Sequence, residues 1–182
     1  DLKLTITLDP SLRLLAPPYV ERGSGCTGPQ LKRFIKSRVY VPMHELRRRF
    51  QIEGPDDDVT IPPKSKKSDW EVELGVIIGT RAKNIARKDA LAHVAGYCTI
   101  NDLSEREFQL EHGPQWDKGK GCDTYGPVGP WLVTRDEIGN VQKLDMWLDI
   151  NGERMQTGNT KTMIFSVAKI VSYLSRFMTL MP

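Results

Sequence analysis

The sequence predicts a β-rich α+β fold, and three observations carry that reading. Short runs of alternating or β-branched residues recur along most of the chain. Clusters of Gly, Pro, Asn and Asp separate them. Only one long stretch, near the end, has clear helical periodicity.

In chain order, Leu2 to Leu8 alternates as a strand and Pro17-Pro18 lies beyond its end. Gly23 to Pro29 reads as loop, and Val39 to Val41 as a short strand. Gly54-Pro55-Asp56-Asp57-Asp58 is a turn whose three aspartates read as a solvated loop. Val59-Thr60-Ile61 is a short run broken by Pro62-Pro63. Asp69 to Gly79 is the strongest strand, and Tyr97 to Asn101 a second one ending at Asp102. Lys88 to Val94 reads as a helix stopped by Gly96, with His93 inside it as a structural histidine. Ser104-Glu105-Arg106-Glu107 fits a capping box and opens another helix. Gly126 to Pro130 is a rigid turn into a strand, Trp131 to Thr134. Asp145 to Ile150 and Glu153 to Gln156 flank Asn151-Gly152, a type I′ hairpin signal. Gly158-Asn159-Thr160 marks the next turn. The long helix starts at Ser166, which can cap it. Its stripe of Val167, Ile170, Val171, Leu174, Phe177 and Met178 reads as core or subunit interface.

The 182 residues make one domain or slightly more. No apolar run reaches the roughly 20 residues that span a bilayer. The first ten residues lack a signal-peptide pattern. Cys26, Cys98 and Cys122 are odd in number and follow no metal-like spacing, so they read as reduced thiols, with Cys98 in the core. A cytoplasmic location and no membrane partner are expected. The net charge is +3, but residues 31–50 hold seven Lys/Arg against Glu45, about +6, leaving about −3 elsewhere. That segment has no nucleic-acid-binding motif, and its aromatics are too sparse for a stacking platform. It reads as solvated surface, so no nucleic-acid partner is expected.

The most informative residues are Glu71 and Glu73. On a strand they share one face, with Trp70, Val72 and Leu74 on the other, about 6–7 Å apart at Cα. Two carboxylates on a half-buried face repel and lose hydration, so they call for a cation. The pair alone is equally compatible with an exposed, solvated face. Asp102, delivered by a second strand to the mouth of a helix, adds a third carboxylate. Three hard oxygen donors with no neighbouring His or Cys suit Mg²⁺, Mn²⁺ or Ca²⁺ and not zinc.

Asp69-Trp70-Glu71-Val72-Glu73-Leu74-Gly75, then Asn101-Asp102-Leu103-Ser104-Glu105-Arg106, then Lys118-Gly119-Lys120-Gly121-Cys122-Asp123-Thr124-Tyr125-Gly126-Pro127 follow one another in register. Together they resemble the fumarylacetoacetate hydrolase family over residues 54–182, most closely bacterial members that cleave 2,4-dioxo acids or isomerise related enol acids. Residues 1–53 form a divergent N-terminal segment. The resemblance implies a mixed β-sandwich roll, usually a homodimer. It implies Mg²⁺ or Mn²⁺ on Glu71, Glu73 and Asp102, and Arg106, Gln109 and Lys120 facing a small keto acid. It implies hydrolysis of a C–C bond in an acylpyruvate-type 2,4-dioxo acid through a metal-stabilised enolate. Lys120 and Arg106 would stabilise developing negative charge. Enol–keto isomerisation or decarboxylation on the same metal is the alternative, with a catalytically impaired metal-binding remnant as a further one.

Two departures bear on activity. Relatives carry a Gly-x-Asn-Tyr-x-x-His-x-x-Glu lid segment where this chain has residues 20–50, and His44-Glu45 does not reproduce its spacing. They also continue past the position of Pro182 into a Gly-Asp…Thr-Gly-Thr-Pro segment. The expectation is a chain incomplete at both ends, with weak turnover as it stands.

Overall fold

A computed structural model describes residues 4–8, 40–42 and 57–182. The expectations for Cys26, the loop at 23–29, His44-Glu45, Asp56 and the basic segment other than 40–42 lie outside the described residues.

The central sheet is antiparallel, in the order β2 (Tyr40–Pro42), β7 (Val128–Thr134), β5 (Val94–Asn101), β4 (Val72–Ile78). A second antiparallel sheet orders β1 (Leu4–Leu8), β8 (Asp145–Ile150) and β9 (Glu153–Asn159), and its strands lie against the first. The small ribbon of β3 (Ser68–Asp69) and β6 (Ser104–Glu105) stands at one end of the central sheet. Among the described residues three α-helices accompany the sheets: α1 (Arg106–Leu110), α2 (Asp117–Lys120) and α3 (Val167–Phe177). The expected β-rich α+β architecture is therefore present. Among the described residues no helix is long and apolar enough to cross a membrane.

The core forms where α3 and the 3-10 turn Arg87–His93 cover one face of the central sheet. Val167 and Val171 of α3 meet Ala90, Val94, Tyr97 and Val141, all buried. Cys98 is also buried, and burial pushes its thiol up to about 12. It is an inert core residue, as expected. The sheet packs tightly at Gly96, where a Cβ would meet the Val133 carbonyl oxygen at 2.2 Å.

Several local expectations are corrected. The strand read from Asp69 to Gly79 is two strands with different partners: β3 pairs with β6, and β4 with β5. Trp70 and Glu71 are the link between them. Ser104 does not cap a helix, because its backbone pairs with Asp69; Glu105 is the cap, and its carboxylate accepts from the Glu107 N–H. Lys88 to Val94 is a 3-10 turn followed directly by β5, so Gly96 is a strand residue. The last strand runs to Asn159, beyond the expected turn at Gly158.

The Asn151-Gly152 hairpin is realised, with φ of 52° and 85°. Ser166 caps α3 by accepting from the Lys169 N–H at 3.3 Å. The stripe of α3 is only partly core. Val167 and Val171 are buried, whereas Ile170, Leu174, Phe177 and Met178 remain open to solvent. Ser172 and Ser175 are buried in their place. Ser172 donates to the Ile85 carbonyl at 2.9 Å, and Ser175 accepts from the Ile85 N–H at 3.1 Å.

Candidate functional site

The backbone brings the site together before any side chain does. The Asp102 N–H donates to the Glu71 carbonyl at 2.9 Å. Asn101 is wholly buried, and its Oδ1 accepts from the Glu71 N–H at 3.1 Å. The link between β3 and β4 is thus pinned to the end of β5. One residue on, the Val72 N–H donates to Gln156 Oε1 of the second sheet at 2.8 Å. These bonds hold Glu71 beside Asp102, and the first residues of β4 carry Glu73 to the same place. Oxygens of the three carboxylates lie within 4.8 Å of one another.

The remaining expected residues arrive on the two short helices. The Arg106 N–H donates to the Lys67 carbonyl at 2.9 Å, fixing the start of α1 against the 65–68 loop. Below it Glu105 is fully buried, and its carboxylate accepts from the Ser65 and Ser68 hydroxyls and the Lys67 N–H. Arg106 and Gln109, three apart on α1, face the same way, and Arg106 Nη1 donates to Gln109 Oε1 at 2.9 Å. Helix α2 lies hard against α1 at Gly119, where a Cβ would sit 2.7 Å from the Gln109 N and from the Glu105 carbonyl oxygen. Only glycine permits that approach, and it sets the next residue, Lys120, at the acidic cluster.

Lys120 Nζ donates to Glu71 Oε2 at 2.8 Å and to Asp102 Oδ2 at 2.7 Å. Arg106 Nη1 donates to Glu71 Oε1 at 2.6 Å, while its Nε and Nη2 contact Asp69 Oδ2 at 2.8 and 2.7 Å. All six expected residues therefore stand in one contiguous group. Two further residues belong to it that the sequence reading assigned no role: Asp69, which anchors the guanidinium, and Asn101, which anchors Glu71. His112 lies at its margin, its Nε2 3.3 Å from Glu107 Oε1. His93 is structural, bonded through Nδ1 to the Thr80 hydroxyl at 3.0 Å.

The electrostatics are uneven across the carboxylates. Partial burial pushes the Glu71 carboxyl up, but the hydrogen bonds and charges of Lys120 and Arg106 together outweigh it and hold the group below its ordinary value. Glu73 is exposed, and among the described residues it forms no ion pair. Desolvation first, and then the charges of Asp102 and Glu71, raise its carboxyl. Desolvation opposes the charge on Lys120 and on Arg106, but their acidic partners raise both.

This donor set fits a divalent cation. All three donors are hard oxygens, as Mg²⁺ and Mn²⁺ prefer. Octahedral ligands about 2.1 Å from an ion stand about 3–4 Å apart, so little closure is required. The Lys120 ammonium, bridging two of the three carboxylates, already stands in for a cation. Glu71, Glu73 and Asp102 are the residues that could hold one.

A family model for the fumarylacetoacetate hydrolase C-terminal domain matches residues 42–182. A provisionally named hydrolase of Burkholderia ambifaria is 61% identical over 129 residues, which are 71% of this chain and 46% of that protein. The solved fumarylacetoacetate hydrolase from psychrophilic Exiguobacterium antarcticum is 39% identical, with a TM-score of 0.61 over 64% of this chain and 42% of that one. The crystal structure of 5-carboxymethyl-2-hydroxymuconate delta-isomerase from Mycobacterium smegmatis is 30% identical, with a TM-score of 0.67 over 71% of this chain and 50% of that one. The chain spans about half the length of the curated relatives it matches.

Proposed function

This chain belongs to the fumarylacetoacetate hydrolase family, and from that premise we propose that it carries the site of a divalent-metal-dependent hydrolase. The reaction proposed is cleavage of a C–C bond in a 2,4-dioxo acid of acylpyruvate type. The observation that carries the reading is the convergence of Glu71, Glu73 and Asp102 beside Lys120 and Arg106. A divalent ion held by the three carboxylates would supply Lewis-acid polarisation of a keto-acid carbonyl.

The chain's own residues do the rest. Lys120, held between Glu71 and Asp102, presents a cation where negative charge develops on a substrate oxygen. Arg106 is held by Asp69 and Glu71, and Gln109 by Arg106. The donors of this side of the site are therefore oriented before substrate arrives, which lowers the cost of reorganisation. The homodimer expected from the resemblance is retained as a proposal. It is supported by the open apolar side chains of α3.

A second reading, enol–keto isomerisation on the same residues, is favoured by the similarity to the Mycobacterium smegmatis isomerase. The test is product analysis with a panel of acylpyruvates in Mg²⁺ or Mn²⁺. Release of pyruvate, lost in Glu73→Gln, is the expected outcome. Conversion to an isomer of equal mass would select the second reading. Metal binding without conversion of any substrate would overturn both.

A further inference from the structure

Away from the acidic cluster, a cleft of about 680 Å³ lies between the turn at Arg87, the Asn140–Lys143 segment, the end of β9 and the entrance to α3. Arg87, Lys143 and Lys161 line it, and among the described residues no Asp or Glu does. None of these three cations forms an ion pair with a described residue, and all three are exposed. Its size is in the range of small-molecule sites, roughly 300–1,000 Å³.

The hydrogen bonding of the lining explains what such a cleft would select. Its side-chain oxygens are already engaged. Asn140 Oδ1 accepts from the Gln142 N–H at 3.0 Å, and Asn159 Oδ1 from the Lys161 N–H at 2.7 Å. Gln142 Oε1 accepts from the Val167 N–H at 2.7 Å. Ser166 Oγ accepts from the Lys169 N–H and, at 3.4 Å, from Arg87 Nη2. Asp145, which is not part of the lining, accepts from the Asn159 amide at 2.6 Å. Gln142 Nε2 donates to the Thr160 carbonyl at 3.2 Å, which fixes the floor. With its oxygens occupied, the lining offers a ligand donors and positive charge and few acceptors. Cations and neutral donors find few partners there, whereas anions find several.

We propose that this cleft is a binding site for a small polyanion bearing phosphate or carboxylate groups, separate from the acidic cluster. The two anionic groups share the chemistry that Lys and Arg recognise. The site shares no residue with the cluster, so it does not depend on the reaction proposed there.

The test is calorimetry with inorganic phosphate and, in a second arm, tricarballylate, in Mg²⁺ buffer at constant ionic strength set by KCl. Saturable binding that weakens as salt rises is expected from at least one anion. The stronger of the two identifies the ligand's anionic group. The Lys143→Glu/Lys161→Glu double variant should bind about tenfold more weakly, since each exposed charge pair contributes modestly. Lys161→Gln should be intermediate. Both lysines are exposed, so the melting temperature should not change. Lys120→Ala should bind these anions as the parent does. Absence of saturable binding would overturn the proposal, and so would binding that survives the double variant or disappears in Lys120→Ala.

Discussion

Glu73 is the residue where chemistry and stability pull hardest against each other. Its carboxyl titrates above the ordinary 4.5 in the folded chain. The folded state therefore holds that proton more tightly than the unfolded one, and stability falls as pH rises from 4.5 through the raised value. Above the raised value the penalty is complete. Glu73→Gln should raise the melting temperature of the metal-free protein at pH 7 and abolish the rise that Mg²⁺ or Mn²⁺ produces in the parent. Thermal melts with and without EDTA check both; an undiminished metal response in the variant would remove Glu73 from the ligand set. Glu71 runs the other way. Its lowered carboxyl contributes stability above 4.5 that is lost as pH falls through its folded value. Lys120→Ala deletes two charge-assisted bonds at a partly exposed position, a cost of about 1–2 kcal/mol in the absence of metal. It should spare Mg²⁺ binding but weaken binding of oxalate, a pyruvate-like ligand, by about tenfold; unchanged oxalate affinity in calorimetry would count against its assignment. The three carboxylates were legible in the sequence because two stand at strand spacing and the third closes a strand. Asp69 and Asn101 were not, because they act only through hydrogen bonds to Arg106 and Glu71, and no periodicity marks such a role.

Among the elements, local signals failed where a distant backbone claimed the same atoms. Ser68–Asp69 and Val72–Ile78 are strands, as the β-branched run predicts, but strand propensity does not say which neighbour a strand takes. Asp69 found Ser104, and Val72 found Asn101, so the chain steps from one sheet to another at Trp70-Glu71. That step, invisible to alternation, is what frees Glu71 to meet Asp102. Ser104 lost its capping role to the same pairing, and the buried Glu105 took it over. The helical pattern at 88–94 yielded a 3-10 turn whose His93 carbonyl accepts from the Gly79 and Thr80 N–H groups. Serines took two buried positions on α3 because their hydroxyls meet the Ile85 backbone, which a count of apolar residues does not register. The α1–α2 contact makes a demand at Gly119 comparable to the sheet's at Gly96. An alanine at Gly119 would press on the Gln109 N and the Glu105 carbonyl oxygen, backbone atoms that cannot rotate away. Gly119→Ala should therefore cost about 1–3 kcal/mol in urea unfolding. It should also weaken oxalate binding, because Lys120 moves with α2. Full stability would show that the two helices separate easily.

On the scale of the whole molecule, the two faces of α3 differ in what they do. One face, with Val167, Val171, Ser172 and Ser175, closes the core over the central sheet. The other leaves Tyr173 and Phe177 stacked edge-to-face, with centroids 5.0 Å apart, in contact with solvent. Phe177 is 66% exposed, and Phe165 and Ile164, just before the helix, are 59% and 91% exposed. Scattered exposed apolar residues are ordinary, but aromatic pairs grouped on one helix face are the usual mark of a protein contact. Association through this face would remove apolar area from water at about 25 cal/mol per Å², against the entropy lost on pairing. The parent chain should therefore self-associate as its concentration rises, and salt should not dissolve the complex, because no charge pair drives it. Phe177→Ser combined with Tyr173→Ser should shift sedimentation to the monomer. Neither side chain supports the core, so the monomer's unfolding midpoint should stay within about 0.5 kcal/mol of the parent's. Mg²⁺ affinity should also be unchanged, since the acidic cluster is built entirely from residues 69–120 of one chain. A variant that remains associated would place the contact elsewhere. One that loses Mg²⁺ together with its partner would mean that the cluster is completed across an interface.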